Sequence, residues 1–231
     1  HYKHIKFALE NKINVICEKP LVLNLKELIL VEKISKKQKT NIYCILQLRL
    51  YKKIINFKNK ISKKKNTKYD VEFTYITSRG KWYFNTWKGD ERKSGGIISN
   101  IGIHFFDLLL WIFGEVEDIE IHIKRKEVCT GLLKLRNANV KWFLSTNVKY
   151  IKYTKTKNKR VFRSMNVNGK DINLDLGFEN LHNQSYSKIL NNKGFTISDV
   201  RPSIALVESL RKLKIKKNIN TKHKFAKYIN Q

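Results

Sequence analysis

The sequence predicts two architectures in series: the end of a parallel α/β sheet, then an α+β domain on an open, largely antiparallel sheet with flanking helices. Helix, strand, helix and strand patterns follow one another before Tyr51, the alternation that builds parallel sheets. From Val116 onward the order changes to a run of strand patterns, with helices only near the end. Length bounds the reading: 231 residues with 42% hydrophobic content suffice for one substantial core or two small ones.

Tyr2 to Asn11, with apolar Ile5, Phe7, Ala8 and Leu9, is the end of a helix, and Ile13 to Cys17 is a short buried strand. Asn24 supplies an N-cap for a helix to about Lys37, in which Leu25, Leu28, Ile29, Val31 and Ile34 form an apolar face beside a charged one. β-Branched and aromatic residues from Asn41 to Leu48 give a second strand. Lys52 to Lys68 is a lysine-rich surface helix with a loop at Lys63-Lys64-Lys65, a solvated face. Asp70 to Thr77 alternates as a strand. A helix opens near Asn100, carries Ile101, Phe105, Leu108, Leu109 and Ile112 on its apolar side, and stops at Gly114. Strands follow at Val116 to Lys124, Val128 to Leu135, Val140 to Val148, Val161 to Val167 and Ile172 to Leu176. Asn137-Ala138-Asn139 and the hairpin signal Asn168-Gly169 separate pairs of them. Helices over Gln184 to Leu190 and Pro202 to Leu213 close the domain, and the lysine-rich end beyond Lys214 is expected to fray.

The formal charge of +29 raises nucleic-acid binding as a class. The distribution argues against it: 39 of the 48 basic residues are lysine, only nine are arginine, and the lysines run through nearly every segment. Readers of bases and phosphates concentrate arginine, whose planar fork engages two acceptors at once. Cys17, Cys44 and Cys129 are odd in number and lack CxxC spacing. They read as reduced thiols of a cytoplasmic protein, with no disulfide framework and no metal site. The longest apolar stretch, Ile101 to Phe113, is interrupted by His104 and Asp107 and is too short to span a bilayer, so no membrane partner is expected.

Two segments carry chemistry. Cys17-Glu18-Lys19-Pro20 follows the apolar run Ile13-Asn14-Val15-Ile16, so a lysine stands where a strand ends, the place at which parallel sheets hold ligands. Pro20 fixes the chain direction just after it. In the second segment, Ser94 to Asp107, paired Gly95-Gly96 allow close approach of backbone to a ligand. Asn100, His104 and Asp107 then form a polar stripe across an apolar face, costly to bury without purpose. A lysine and a histidine delivered from distant elements can together move a proton and hold a substrate hydroxyl. Between them, Tyr75 to Gly89 is dense in arginine, aromatics and small polar residues. The plainer reading is a strand and loop with packed aromatics; the functional one is a nucleotide-sugar pocket, cations for phosphates and aromatic faces for a ring.

These segments resemble the Gfo/Idh/MocA family of nicotinamide-dependent sugar dehydrogenases. Glu18-Lys19-Pro20 matches the family's EKP, and Gly95-Gly96 through His104 matches its Gly-Gly, Asp, three residues, His pattern, with Asn100 at the aspartate position. Tyr75 to Gly89, Asn100 to Asp107 and Gly194 to Ile204 together are similar to the bacterial members that oxidise C3 of UDP-N-acetylglucosaminuronate for surface polysaccharide (O-antigen) synthesis. The resemblance implies a partial Rossmann domain over 1–50, a substrate and oligomerisation domain over 51–215 and a basic tail over 216–231. It implies that Lys19, its pKa lowered by burial, hydrogen-bonds or deprotonates the C3 hydroxyl, with His104 as alternative base or sugar-orienting group. Asn100, Arg49, Arg79, Trp87, Lys88, Arg201 and Ser203 would meet the UDP-sugar; Glu18, Lys19, Pro20 and Gln47 would meet NAD. A homo-oligomer, dimer or tetramer, would form through the C-terminal sheet. No Gly-x-Gly-x-x-Gly turn is present, so most of a βαβ dinucleotide unit is expected ahead of His1, and the chain is expected to be inactive on its own. A family member acting on a free sugar or inositol is the competing enzyme, and a lysine-rich nucleic-acid binder the alternative of another class.

Overall fold

A computed structural model describes residues 1–64, 67–154, 156, 160–172, 174, 180–217 and 221–229. The chain begins α1 (Tyr2–Glu10), β1 (Val15–Glu18), α2 (Leu25–Gln38), β2 (Ile42–Ile45), α3 (Lys52–Ser62) and β3 (Tyr69–Thr77). Two short turns, α4 (Lys81–Phe84) and α5 (Glu91–Ser94), precede α6 (Ile103–Phe113). Then come β4 (Val116–Lys124), β5 (Val128–Leu135), β6 (Ala138–Ser145), β7 (Val161–Val167), β8 (Lys170–Ile172), α7 (Leu181–Leu190) and α8 (Ile197–Lys212). Packing divides the chain into two compact units, each discontinuous in sequence: 1–63 with 103–112 and 177–209, and 64–102 with 113–176 and 210–231. This differs from contiguous boundaries at 50 and 215, because α6 and most of α8 belong with the first unit.

The first unit is an α/β layer. β1 and β2 pair in parallel from Val15↔Ile42 to Glu18↔Ile45. Ile5 and Leu9 of α1 and Leu28 and Val31 of α2 are buried, the spacing that puts one stripe of each helix against a sheet. Asn24 caps α2 as its sequence predicts, accepting from Glu27 N at 2.9 Å, while the Glu27 carboxylate accepts from Leu23 N at 3.1 Å. β2 is shorter than expected because Gln47–Leu50 turns into a 3-10 helix. Beyond β2 the chain is held by Cys44 N donating to Phe195 O at 2.9 Å. Among the described residues no strand pairs with the other edge of β1, where Ile13 is 54% and Ile16 43% exposed.

The second unit is built on a six-stranded sheet in the order β4-β5-β6-β3-β7-β8. Every neighbouring pair is antiparallel except β3 with β6, which makes the sheet mixed but largely antiparallel. Asn168-Gly169 makes the predicted hairpin, with φ of 47° and 82°, the positive values a two-residue turn demands. β8 starts at Lys170, directly after that turn, and residues 173, 175 and 176 of the expected strand lie outside the described residues. Gly131 of β5 lies under the indole of Trp142: a Cβ there would sit 2.8 Å from that ring and 2.0 Å from Glu120 O. β4 shifts register between Ile121 and Ile123, opposite this glycine, leaving His122 as the extra residue of a bulge.

The end of the chain is not a frayed tail over its described part. Lys216 N donates to Ile121 O at 2.7 Å, and a 3-10 turn over Lys224–Tyr228 buries Phe225 and brings in Ile229. Phe225 and Ile229 join Ile76, Val128, Phe143, Tyr150 and Ile151 in one apolar cluster on the sheet. His223 Nε2 meets Thr74 Oγ1 at 3.0 Å beneath it. One stretch is also longer than expected. Glu91–Phe113, largely helical but broken at Gly95, holds an 18-residue window of mean hydropathy 1.6 and passes as long and apolar enough to cross a membrane by length and composition, but 72% of that window is buried in the fold.

Candidate functional site

In the first unit, β1 delivers Glu18 and then Lys19 at its C-terminal end, with the Lys19–Pro20 peptide cis and Leu21 and Val22 buried behind it. Glu18 Oε1 lies 3.3 Å from His182 Nε2. Lys19 and His104, in the first turn of α6, are both half-buried and both belong to this unit. Gln47 opens the 3-10 turn after β2, and its Oε1 is buried with no hydrogen-bond partner among the described residues. A buried amide oxygen left without a donor costs free energy, so the site is shaped for a donor from elsewhere.

Two residues expected to meet substrate are closed off. Arg49 is buried; Nε donates to Asp107 Oδ2 at 2.9 Å and Nη2 to Asp107 Oδ1 at 2.6 Å. The same guanidinium reaches Asp199 Oδ1 at 3.4 Å and Asp199 O at 3.0 Å, and stands over the rings of Trp111 and Phe195. Arg49 is therefore a structural fork, and Asp107 owes its place in the polar stripe to this pairing. Burial pushes the Asp107 carboxyl above its ordinary value, against the pull of Arg49. Ser203 is buried and its Oγ donates to Val200 O at 2.9 Å. Arg201 is half-buried, with Nη2 on Glu32 Oε2 at 2.6 Å.

In the second unit, Asn100 stands in a π-turn, Ile98–Gly102. Such turns recur at functional sites because the extra residue re-aims a side chain. Asn100 Nδ2 donates to Tyr83 Oη at 2.7 Å. Tyr83, which the sequence did not single out, is buried between Trp82 and Phe84, and burial raises its phenol above the usual range. Arg79 is exposed at the end of β3. Trp87 is 52% exposed, and Lys88 Nζ stands 5.8 Å from its ring centroid and 5.5 Å from that of Trp82. The thiols take no part as nucleophiles: burial pushes Cys17 up to about 11 and Cys129 up to about 12, and Cys44 well above the usual value. All three are free.

Residues 65–220 match the family described as oxidoreductase, C-terminal alpha/beta domain, and residues 1–45 its NAD-binding Rossmann fold. The chain belongs to the Gfo/Idh/MocA oxidoreductase family. It is an NAD-dependent oxidoreductase by class, and these matches lend no support to the nucleic-acid reading of its charge. It is 37% identical to the WlbA (WbpB) dehydrogenase from Thermus thermophilus, solved in complex with NAD and alpha-ketoglutarate, with a TM-score of 0.92 over 97% of this chain and 73% of that one. The same Thermus enzyme in complex with NAD and UDP-GlcNAcA gives 36% identity and a TM-score of 0.91 over the same 97% and 73%. The WlbA dehydrogenase from Bordetella pertussis, at 17% identity and a TM-score of 0.72 over 90% of this chain and 71% of that one, shares the fold.

For NAD the residues present fit one end. The unpaired Gln47 amide oxygen suits the amide N–H of a nicotinamide, and Glu18, Lys19 and Pro20 stand at the same end of the parallel pair. The pyrophosphate turn is not among them: no glycine occurs before Gly80.

Proposed function

We propose that this protein oxidises C3 of UDP-N-acetylglucosaminuronate to a ketone for surface-polysaccharide synthesis. One observation carries the reading: 36% identity along 97% of the chain to a dehydrogenase crystallised with NAD and UDP-GlcNAcA. NAD, when bound, accepts the hydride leaving C3. Lys19, at the end of β1, takes the C3 hydroxyl proton as the C–O double bond forms, or holds that hydroxyl by a hydrogen bond. His104 orients the sugar or serves as the base in its stead. Asn100, whose amide donates to Tyr83, hydrogen-bonds a sugar hydroxyl in this reading, and Arg79, Trp87 and Lys88 serve the nucleotide half. Arg201, half-exposed beside Glu32, is kept as a nucleotide contact. Glu18, Pro20 and Gln47 frame the nicotinamide. The keto product suits a PLP-dependent aminotransferase as the next enzyme.

The free thiols fit a cytoplasmic enzyme. A homo-oligomer through the six-stranded sheet is part of the same reading. The sheet face carrying Thr74 and Phe143 is already covered by residues 221–229, so the contact falls on the half-buried strand β7 and its surroundings. The test of the reaction is NADH formation by a version of the protein that carries the dinucleotide-binding turn. UDP-N-acetylglucosaminuronate is expected to be turned over well ahead of UDP-N-acetylglucosamine, free glucuronate and myo-inositol. Equal or better turnover of the inositol, or of a sugar lacking UDP, sinks the proposal.

A further inference from the structure

We propose that the second unit holds a seat for a neutral monosaccharide ring, in a cavity over β7 and β8 that the reaction above does not use. The inference stands on the chemistry of this cavity alone and does not depend on the substrate assigned above.

The cavity measures about 420 Å³, within the range of small-molecule sites and large enough for one pyranose. Its floor follows from strand register. Phe162, Ser164 and Asn166 are alternate residues of β7, so they point to one face of the sheet, and all three line the cavity. Thr74 of β3 lies opposite Ser164, and Asp171 of β8 lies opposite Asn166. Two hydroxyls, an amide and a carboxylate are thereby gathered on that face. Asn166 Nδ2 donates to Asp171 Oδ1 at 2.9 Å, which leaves the amide oxygen and the second carboxylate oxygen side by side as acceptors. Adjacent hydroxyls of a sugar ring can donate one to each. Ser164, half-buried beside Thr74, can donate or accept.

The rest of the lining suits the same ligand. Phe162 and Ile172 offer apolar surface to the C–H groups of a ring. Tyr153 lies coplanar with Tyr228, centroids 3.8 Å apart, and Lys152 Nζ stands 4.9 Å from its centroid. Both partners hold that ring in place, so its edge and hydroxyl complete the wall. Charge argues for a neutral ligand. Arg163, Lys224 and Asp171 line the cavity, and Lys224 Nζ donates to Glu72 Oε2 at 2.6 Å, so two cations are set against two carboxylates. On a chain of formal charge +29 that balance is a local exception. A sugar acid or a polyamine would leave one sign in excess in a partly enclosed space, whereas a polyol would not.

Saturation-transfer NMR on the full chain, with methyl glucoside, glucuronate and putrescine as probes, tests this. Methyl glucoside is expected to bind at millimolar concentration, and the two charged probes at least about tenfold more weakly. Asp171→Ala and Asn166→Ala are each expected to weaken the glucoside about tenfold. Glu117→Ala, at an exposed carboxylate elsewhere on the second unit, is expected to change nothing. Circular dichroism checks that each variant is folded; should an alanine variant not fold, Asp171→Asn, of the same shape, replaces it and is expected to weaken binding too. Wild-type affinity in a folded Asp171 variant overturns the proposal. Excess UDP-N-acetylglucosaminuronate is expected to leave the glucoside signal unchanged. Loss of that signal would place the glucoside in the substrate site and overturn the seat. Absence of any glucoside binding, the outcome if a second copy of the chain fills the cavity instead, overturns it as well.

Discussion

Arg49 and Asp107, far apart in sequence, close on each other as a buried two-pronged ion pair, with contacts of 2.9 and 2.6 Å and side chains only 7% and 4% exposed. The pair ties the turn that carries Gln47 to the helix that carries His104, and so holds two candidate site residues in register without touching a ligand. Breaking it leaves one buried charge alone. Arg49→Met is expected to cost about 3–5 kcal/mol, read as a fall in urea midpoint and Tm, and Arg49→Met with Asp107→Leu is expected to recover much of the loss. Wild-type stability in the single variant would show that the fork contributes nothing.

In a version of the protein that carries the dinucleotide-binding turn, Lys19→Met is expected to abolish turnover and leave the fold intact, because methionine keeps the apolar stem and removes both the donor and the base. His104→Asn is expected to lower kcat less. NADH formation and circular dichroism on the same samples check both. Activity surviving in the lysine variant would move the proton transfer to another residue.

NAD is expected to bind the 231-residue chain no better than about millimolar. Tight binding in this fold depends on backbone N–H groups at a glycine-rich helix start, and the contacts present serve only the nicotinamide end. Calorimetry with NAD measures it; micromolar affinity would mean that the cofactor is held by other residues.

Acid should loosen the end of the chain first. Burial holds the His223 imidazole down to about 3, with Lys224 and Lys141 adding to the effect. The unfolded chain takes up that proton near pH 6.5, while the folded chain refuses it until about pH 3. The stability contributed by neutral His223 is therefore full above pH 6.5 and falls by about 1.4 kcal/mol for each unit below it. Limited proteolysis after residue 216 at pH 7 and pH 4.5 is the measurement, with faster cleavage expected at the lower pH. His223→Gln is expected to flatten the difference.

What could be read in the sequence was local. β4, β5 and β7 begin and end where alternation and turn residues put them, and Asn24 caps α2, since each depends on neighbours a few residues away. The EKP segment was legible because strand, lysine and proline are contiguous. The start of α8 was readable but masked by Pro202: Asp199 accepts from Thr196 N at 2.8 Å, a capping pair visible as Thr-Ile-Ser-Asp. The π-turn at Asn100 has no comparable local sign. The roles of Arg49, Tyr83 and Phe225 lie further out of reach, because each is set by a partner distant in sequence. An arginine near a strand end looks the same whether it awaits a phosphate or is already spent on an aspartate.

The bare edge of β1 bears on how the protein behaves in a tube. Among the described residues the strand's outer edge has no partner, and with Ile13 just before the strand and Ile16 within it exposed, that edge is a template on which another molecule's strand can add. A formal charge of +29 keeps copies apart, but only over the reach of the field, about 10 Å in 0.1 M salt and about 3 Å at 1 M. Concentrated salt should therefore turn a clear solution cloudy, and dilute buffer should clear it. Handling at low ionic strength follows from one open edge on one short strand.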